Sequence, residues 1–326
     1  MKMVLWFIQA LIFYLFTILF AMIPQSGIRS TGRLLSRMST VLIPKRRQIA
    51  IDNIRQALPA MSKDPDWNLP DQSPEDISRN MFDHLAMSLI ETARLYHGRG
   101  TKIIEQVEIR GAEHVERAKA RGKGVIFLTG HCGNWELAAL GLAHHFKSTM
   151  SVVARRQDSP YLNSMVEKMR QRYDNNIIYK DKAFKSMLSV FRNNGMVGIL
   201  VDQAVFPEDG ALINFLGRKA WASKAPVVLA RKSGTAVLPA FIHREEDRHV
   251  IEIQPELSFS GDNSASGMTA DVQLYSNAIE NFIIRHPYDW YWVHRRWKRA
   301  GQTVDASEPA MSPRHLLSAH ETRMTT

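Results

Sequence analysis

Apolar and polar positions divide the chain into stretches of different periodicity. From Val4 to Ile23 the sequence VLWFIQALIFYLFTILFAMI carries no charge, and Gln9 is its only strongly polar side chain. At ~1.5 Å rise per residue, a helix of that length covers roughly the 30 Å hydrocarbon layer of a bilayer. A secretory signal would have a shorter apolar core and a small-residue cleavage site. This run ends instead in Met22-Ile23-Pro24-Gln25, so the expectation is one retained transmembrane anchor over residues 1–24. RRQIAIDNIRQALPA, from Arg46 to about Ala60, places Ile49, Ile51, Ile54 and Leu58 at mixed helical spacings and predicts a helix that Pro59 ends. A polar loop with Pro65 and Pro70 follows. Ser73-Pro74-Glu75-Asp76 then reads as a helix start, with proline at the first position and acids in the first turn, and the helix runs to about Leu95.

From residue 107 the pattern becomes an alternation of short apolar runs and helical segments. GVIFLT at 124–129, SVVAR at 151–155 and MVGILV at 196–201 read as buried strands, as do AVLPAFI and HVIEIQ further on. Helices are expected over 134–146, 161–173, 184–194, 223–233 and 269–285. Such alternation predicts a three-layer α/β sheet with helices on both faces, whose functional groups collect at strand ends. No internal repeat is visible. From Ala300, with Pro309, Pro313 and ETRMTT, a poorly ordered tail over 300–326 is expected, which leaves 25–299 as the folded body.

Composition narrows the class. Hydrophobic residues at 45% and charged residues at 23% exclude a disordered polymer and a polytopic membrane protein. The single cysteine, Cys132, excludes an intramolecular disulfide framework and a cysteine-rich metal site. Lys and Arg number 42 against 32 Asp and Glu, and the net charge of +10 favours an acidic partner. Only Lys2 precedes the apolar run, whereas Arg29, Arg33, Arg37, Lys45, Arg46 and Arg47 follow it before the first acid, Asp52. The positive-inside bias puts the body in the cytoplasm, and the same basic stripe would attract an anionic membrane surface.

The candidate chemistry sits after the first buried strand, in Gly130-His131-Cys132-Gly133-Asn134-Trp135-Glu136. A strand passing through Gly-His into a helix exposes the imidazole at the sheet edge. A carboxylate one turn inside that helix could reach back to one ring nitrogen, fix the tautomer and leave the other nitrogen as a base. The plainer reading is a helix cap with an incidental histidine. A Cys132–His131 nucleophile is a further alternative, although a free cysteine is more often a small packing residue. No His-Glu-x-x-His spacing points to a metal, and no Gly-x-Ser-x-Gly elbow points to a serine nucleophile. Near the C-terminus Trp290, Tyr291, Trp292 and Trp297 interleave with Arg295, Arg296, Lys298 and Arg299. Packing or lipid-headgroup binding accounts for them without a nucleic-acid partner, for which no recognition pattern is present.

GHCGNWE resembles the histidine, four residues, acid signature of the lipid A late acyltransferases, the lauroyl and myristoyl transferase family of Gram-negative bacteria. RRQIAIDNIRQALP, SLIETARL, VARRQDSPYLN, GILVDQ and DWYWVHRRWK agree with it in order and spacing, up to about Lys298. The resemblance implies a glycerolipid-acyltransferase-like fold in 25–299, anchored at the inner membrane with a single pass and the catalytic domain on the cytoplasmic face. It also implies transfer of a fatty acyl chain from an acyl carrier protein thioester to a hydroxyl of a membrane glycolipid, a lipid A precursor. His131 would be the general base, Glu136 would orient it, and Asn134, Arg155, Arg170 and Asp202 would bind substrate; Arg172 could take the place of Arg170 in the match. No metal or other cofactor is expected; acyl carrier protein or coenzyme A would carry the acyl group as co-substrate. The alternatives are an acyl-CoA enzyme for a phospholipid or mannosylated glycolipid, and, from another class, an anchored protein that binds anionic lipid or nucleic acid without chemistry.

Overall fold

The computed structural model describes residues 2–180 and 183–303 of the chain; the tail expected from 300 onward lies, from 304, outside the described residues. Nine strands are described: β1 (Glu108–Arg110), β2 (Val125–Thr129), β3 (Met150–Ala154), β4 (Asn176–Tyr179), β5 (Met196–Leu200), β6 (Gly210–Phe215), β7 (Arg218–Ser223), β8 (Ala236–Glu245) and β9 (Arg248–Ile253). Seven of them form one sheet in the order β1-β9-β8-β2-β5-β3-β4, parallel at every pairing except the β8–β9 hairpin. β6 and β7 form a separate antiparallel hairpin.

Eleven α-helices are described. α1 (Lys2–Ala21), α2 (Ile28–Leu42), α3 (Pro44–Met61) and α4 (Pro74–Tyr96) precede the sheet. α5 (Thr101–Glu105), α6 (Ala112–Lys119), α7 (Trp135–His145), α8 (Pro160–Gln171), α9 (Ala183–Arg192), α10 (Ala225–Ser233) and α11 (Ala265–Arg285) follow among the strands. α4 opens as its sequence predicts: the Ser73 side chain accepts from the Asp76 N–H in a capping box, with Pro74 at the first position. α3 corrects one detail, since Pro59 lies inside its last turn and the helix runs on to Met61.

The central strands carry apolar side chains on both faces, and successive residues point opposite ways. On β2, Ile126 and Leu128 pack into a core with α3, α4, α9, α10 and α11. Val125 and Phe127 join a second core with α5, α6 and α7. The sheet is therefore covered on both sides, as the alternation of elements requires.

α1 is long and apolar enough, by length and composition, to cross a membrane. It packs against α4 and α8, burying Ala10, Thr17 and Ala21 while most of its large side chains face outward.

Candidate active site

The strand register builds the centre of the site. β2 and β5 are parallel neighbours with Thr129 opposite Leu200, and the ladder continues through the Val201 N–H to the Thr129 carbonyl at 3.0 Å. Two residues past each strand end, that register sets Asp202 beside His131. The His131 Nδ1 lies 2.8 Å from Asp202 Oδ1, and the His131 backbone N–H donates to Oδ2 at 2.9 Å. The Trp290 indole N–H also donates to Oδ2, at 2.9 Å. Two glycines permit this packing. A Cβ on Gly130 would fall 3.2 Å from the Asp202 carboxylate, and Gly133, at φ +47°, would meet the Ile242 carbonyl at 2.5 Å.

Asp202 is fully buried. Burial alone would raise its pKa, but the charge and hydrogen bonds of His131, with help from His294, hold it well below the usual carboxylate range. For His131 burial favours the neutral ring, yet Asp202, and to a lesser degree Glu136, outweigh it and raise the imidazole above its ordinary value. An ionised Asp202 accepts only, so Nδ1 carries the proton and Nε2 is left as the basic nitrogen. Nε2 opens on a cleft of about 530 Å³ and has the Gln203 amide at 3.4 Å.

That arrangement corrects the expectation for Glu136. Its carboxylate is not the partner of His131; it takes a two-pronged pair from Arg170, Nη2 to Oε1 at 2.7 Å and Nε to Oε2 at 3.1 Å. The reason is geometric: from the first turn of α7 the side chain reaches Arg170 of α8, and the guanidinium fork matches a carboxylate better than one imidazole nitrogen does. Burial would lower the Arg170 pKa, but Glu136 raises it overall. Glu136 and Arg170 both line the cleft with His131, whereas Arg172 turns toward Gly98 and lines a different hollow.

Arg155, just past β3, lines the same cleft and pairs with Asp158 at 3.0 Å. Asn134 does not line it. Its Oδ1 caps α7 at the Leu137 N–H and its amide donates to Glu91, so the expected substrate contact is replaced by a buried structural one. Glu91 is in turn held by Arg244 and His249. Burial would raise the Glu91 pKa, but His249 and Arg244 beside it bring it down to about 2. Cys132 is fully buried, and burial followed by the charges of Asp202 and Asp289 pushes its thiol up, so it is no thiolate nucleophile.

Sequence reasoning missed three neighbours of His131. The sequence reads Trp290 as a packing or lipid-headgroup residue, yet its indole N–H holds Asp202. Gln203 and His294 both line the cleft, and the His294 ring lies 4.7 Å from that of His131; burial pushes its pKa down to about 4 and keeps it neutral. An isolated β-bridge between Cys132 and Trp290, with the Tyr291 N–H donating to the His131 carbonyl at 3.0 Å, ties the two segments together. No spacing rule connects residues 131 and 290.

Among the described residues two groups bring metal-ligand atoms within 4.8 Å of one another: His131, Asp202 and His294, and His243, Glu252 and His286. In the first, His131 Nδ1 is bonded to Asp202 Oδ1 at 2.8 Å. In the second, the imidazoles of His243 and His286 stack at 3.9 Å and 25°, which does not aim two lone pairs at one point. The cleft itself is apolar along Trp135, Ala139, Val152, Ile199 and Val205, and cationic at Arg155, Arg170, Lys180, Arg295 and Lys298. It can seat an acyl chain beside a base, with counter-charge for an anionic group.

The sequence profile of the family described as bacterial lipid A biosynthesis acyltransferase matches residues 2–299. A lipid A biosynthesis acyltransferase of Haemophilus influenzae is 24% identical over 235 residues, 70% of each chain. A lipid A biosynthesis lauroyltransferase of Escherichia coli is 22% identical over 286 residues, 86% of this chain and 89% of its own. A phosphatidylinositol mannoside acyltransferase of Mycolicibacterium smegmatis is 23% identical over 235 residues, 70% of this chain and 74% of its own.

Proposed function

The chain belongs to the bacterial lipid A biosynthesis acyltransferase family, and from that membership we propose that it moves a fatty acyl chain from an acyl carrier protein thioester to a hydroxyl of a lipid A precursor, at the cytoplasmic face of the bacterial inner membrane. The observation that carries the reading is the His131–Asp202 pair at the mouth of an apolar, cation-lined cleft. His131 Nε2 takes the proton of the acceptor hydroxyl as its oxygen attacks the thioester carbonyl carbon. Asp202 holds the ring in the required tautomer and stabilises the imidazolium that forms. The negative charge developing on the carbonyl oxygen is met by the field of the cleft's cations, Arg170 foremost, because Glu136 fixes its orientation. Collapse of the tetrahedral adduct breaks the carbon–sulfur bond, and the departing thiolate takes the proton back from His131. Thioester and alcohol become ester and thiol, with no acyl-enzyme. Arg155, Lys180, Arg295 and Lys298 supply counter-charge for phosphates of donor and acceptor.

The test is to incubate purified full-length protein with a set of acyl carrier protein thioesters and a lipid A precursor and to read the products by mass spectrometry. The expected product is the acceptor plus one acyl group, with its rate lowered about 10²- to 10⁴-fold in His131→Ala. No acyl transfer from any carrier thioester would overturn the reading. The similarity to the mycobacterial enzyme favours one second reading, an acyl-CoA donor with a mannosylated glycolipid acceptor, and the same assay with those substrates separates the two.

A further inference from the structure

Among the described residues, the exposed large apolar side chains are gathered on one part of the molecule. They lie on α1 and the turn after it, on α2 and the corner before α3, on Leu89 of α4 and on Tyr161 of α8; Leu274 of α11 is the exception. Val41 and Leu42, at the end of α2, are 80% and 68% exposed, and Ile43 follows at the corner. Nothing in a soluble environment favours such a patch.

α1 meets the body along its whole length. Near its start, the Phe7 ring lies 5.7 Å from Tyr161 of α8. At its middle, Phe13 packs on Tyr96 at 5.7 Å and the Thr17 hydroxyl lies 2.9 Å from the His97 ring. Just past its end, Arg94 donates to the Ile23 carbonyl. If this docked helix crossed the bilayer, the end of α4 at His97 and the start of α8 at Tyr161 would be carried to hydrocarbon depth, and with them Arg156, three residues before the Ser159 that bonds the Trp6 carbonyl. Each charge there costs about 2.5–3.5 kcal/mol on insertion scales. Lying flat, the same helix buries its outward face in lipid and keeps its inward face on protein, which explains why it is apolar all round.

Resting on the reading of a lipid-acylating enzyme, we propose that α1 stays docked in the plane of the anionic cytoplasmic leaflet, without crossing it, and that the Val41–Ile43 corner enters the same leaflet. Charge complementarity commits the surface to that partner. Arg33 and Arg37 recur along α2 after Arg29, which pairs with Asp247 at 3.2 Å, and Lys45, Arg46 and Arg47 begin α3 right behind the corner, where they are drawn to anionic headgroups. The geometry also serves the cleft. The charge of Arg46 acts on Tyr291, whose ring lies near that of His131, and Gln157, in the loop that leads into α8, lines the cleft beside the helix that α1 covers. A lipid acceptor would reach His131 sideways from the leaflet.

Topology decides the first half without reference to activity. A hydrophilic epitope is added ahead of Met1 of the full chain, and protease is applied to spheroplasts and to inverted membrane vesicles. The expected result is an epitope removed only in inverted vesicles, on the same side as the catalytic domain. Removal in intact spheroplasts would show a spanning helix and overturn the proposal, whatever the enzyme acylates. For the corner, Leu42→Cys is labelled with bimane, Cys132 being buried, and the protein is reconstituted in vesicles containing anionic phospholipid and lipids spin-labelled near the headgroup. Quenching several-fold above that of a bimane at exposed Lys219→Cys is expected; equal quenching at the two sites would remove the corner from the membrane face.

Discussion

Two carboxylates face one histidine from different parts of the fold. Asp202 lies 71 residues from His131 and is fully buried; Glu136 lies five residues away and is partly open to the cleft. Proximity in sequence favours Glu136, but the parallel register of β2 and β5 gives the ring nitrogen to Asp202. Glu136, projecting from the first turn of α7, reaches the Arg170 fork instead. The difference teaches that a short motif can place the right residues in one site and still misassign who holds whom, because a helix turn and a strand end point in different directions.

The largest effect that would break this comparison is Asp202→Asn. The amide keeps the shape but presents a donor where Nδ1–H needs an acceptor, so the wrong tautomer is favoured and kcat/KM should fall about 10³- to 10⁴-fold. Circular dichroism should show the fold retained. Glu136→Gln should cost less, about 10- to 100-fold, through a loosened Arg170. Equal losses for the two variants would erase the distinction between them.

The pH profile sharpens it further. His131 must be neutral to act as a base, so activity is lost as pH falls through its raised pKa, and the acidic limb of kcat/KM should lie above the ordinary value near 6.5. Both carboxylates raise that pKa, Asp202 more strongly, so the limb should move down in Glu136→Gln and further down in Asp202→Asn. Rate–pH curves for the three proteins check the order. Trp290→Phe removes one donor from Asp202 Oδ2 and should give an intermediate loss of about 10-fold with the limb shifted slightly upward, since a less stabilised carboxylate is a stronger base partner. The smallest effect is expected from Cys132→Ala, which should stay within a few-fold of wild type in the acyl-transfer assay. A dead variant with an acyl-enzyme trapped on wild type would replace direct attack by covalent catalysis.

Much of the framework was legible because it rests on local rules. The buried runs ending at Thr129 and at Val201 read as strands, and the Ser73-Pro74 start of α4 carries its own cap. The β6–β7 hairpin was not foreseen, and the reason is its turn. Leu216-Gly217 forms a two-residue loop with both residues at positive φ, where Asn-Gly would have signalled the turn and leucine conceals it. In the site, His131, Glu136, Arg155, Arg170 and Asp202 were all drawn from sequence and all border the cleft or the ring. Their pairing was not legible, since it depends on strand register. Trp290 and His294 stayed hidden for the same reason: a single bridge between Cys132 and Trp290 brings them in, and bridges leave no periodic trace. Asn134 differs in the opposite direction, as a polar residue whose side chain is engaged by its own helix, by Glu91 and by the Thr92 hydroxyl.

The central claim is that Asp202, and not Glu136, holds the Nδ1 proton of His131. Histidine-selective nitrogen-15 NMR of the detergent-solubilised protein, with the His131 signals assigned by their loss in His131→Ala, reads the tautomer directly above the pKa of the ring. The account predicts a protonated Nδ1 and an unprotonated Nε2 in wild type and in Glu136→Gln, with that preference lost in Asp202→Asn. A preference that disappears in Glu136→Gln and survives in Asp202→Asn would contradict it.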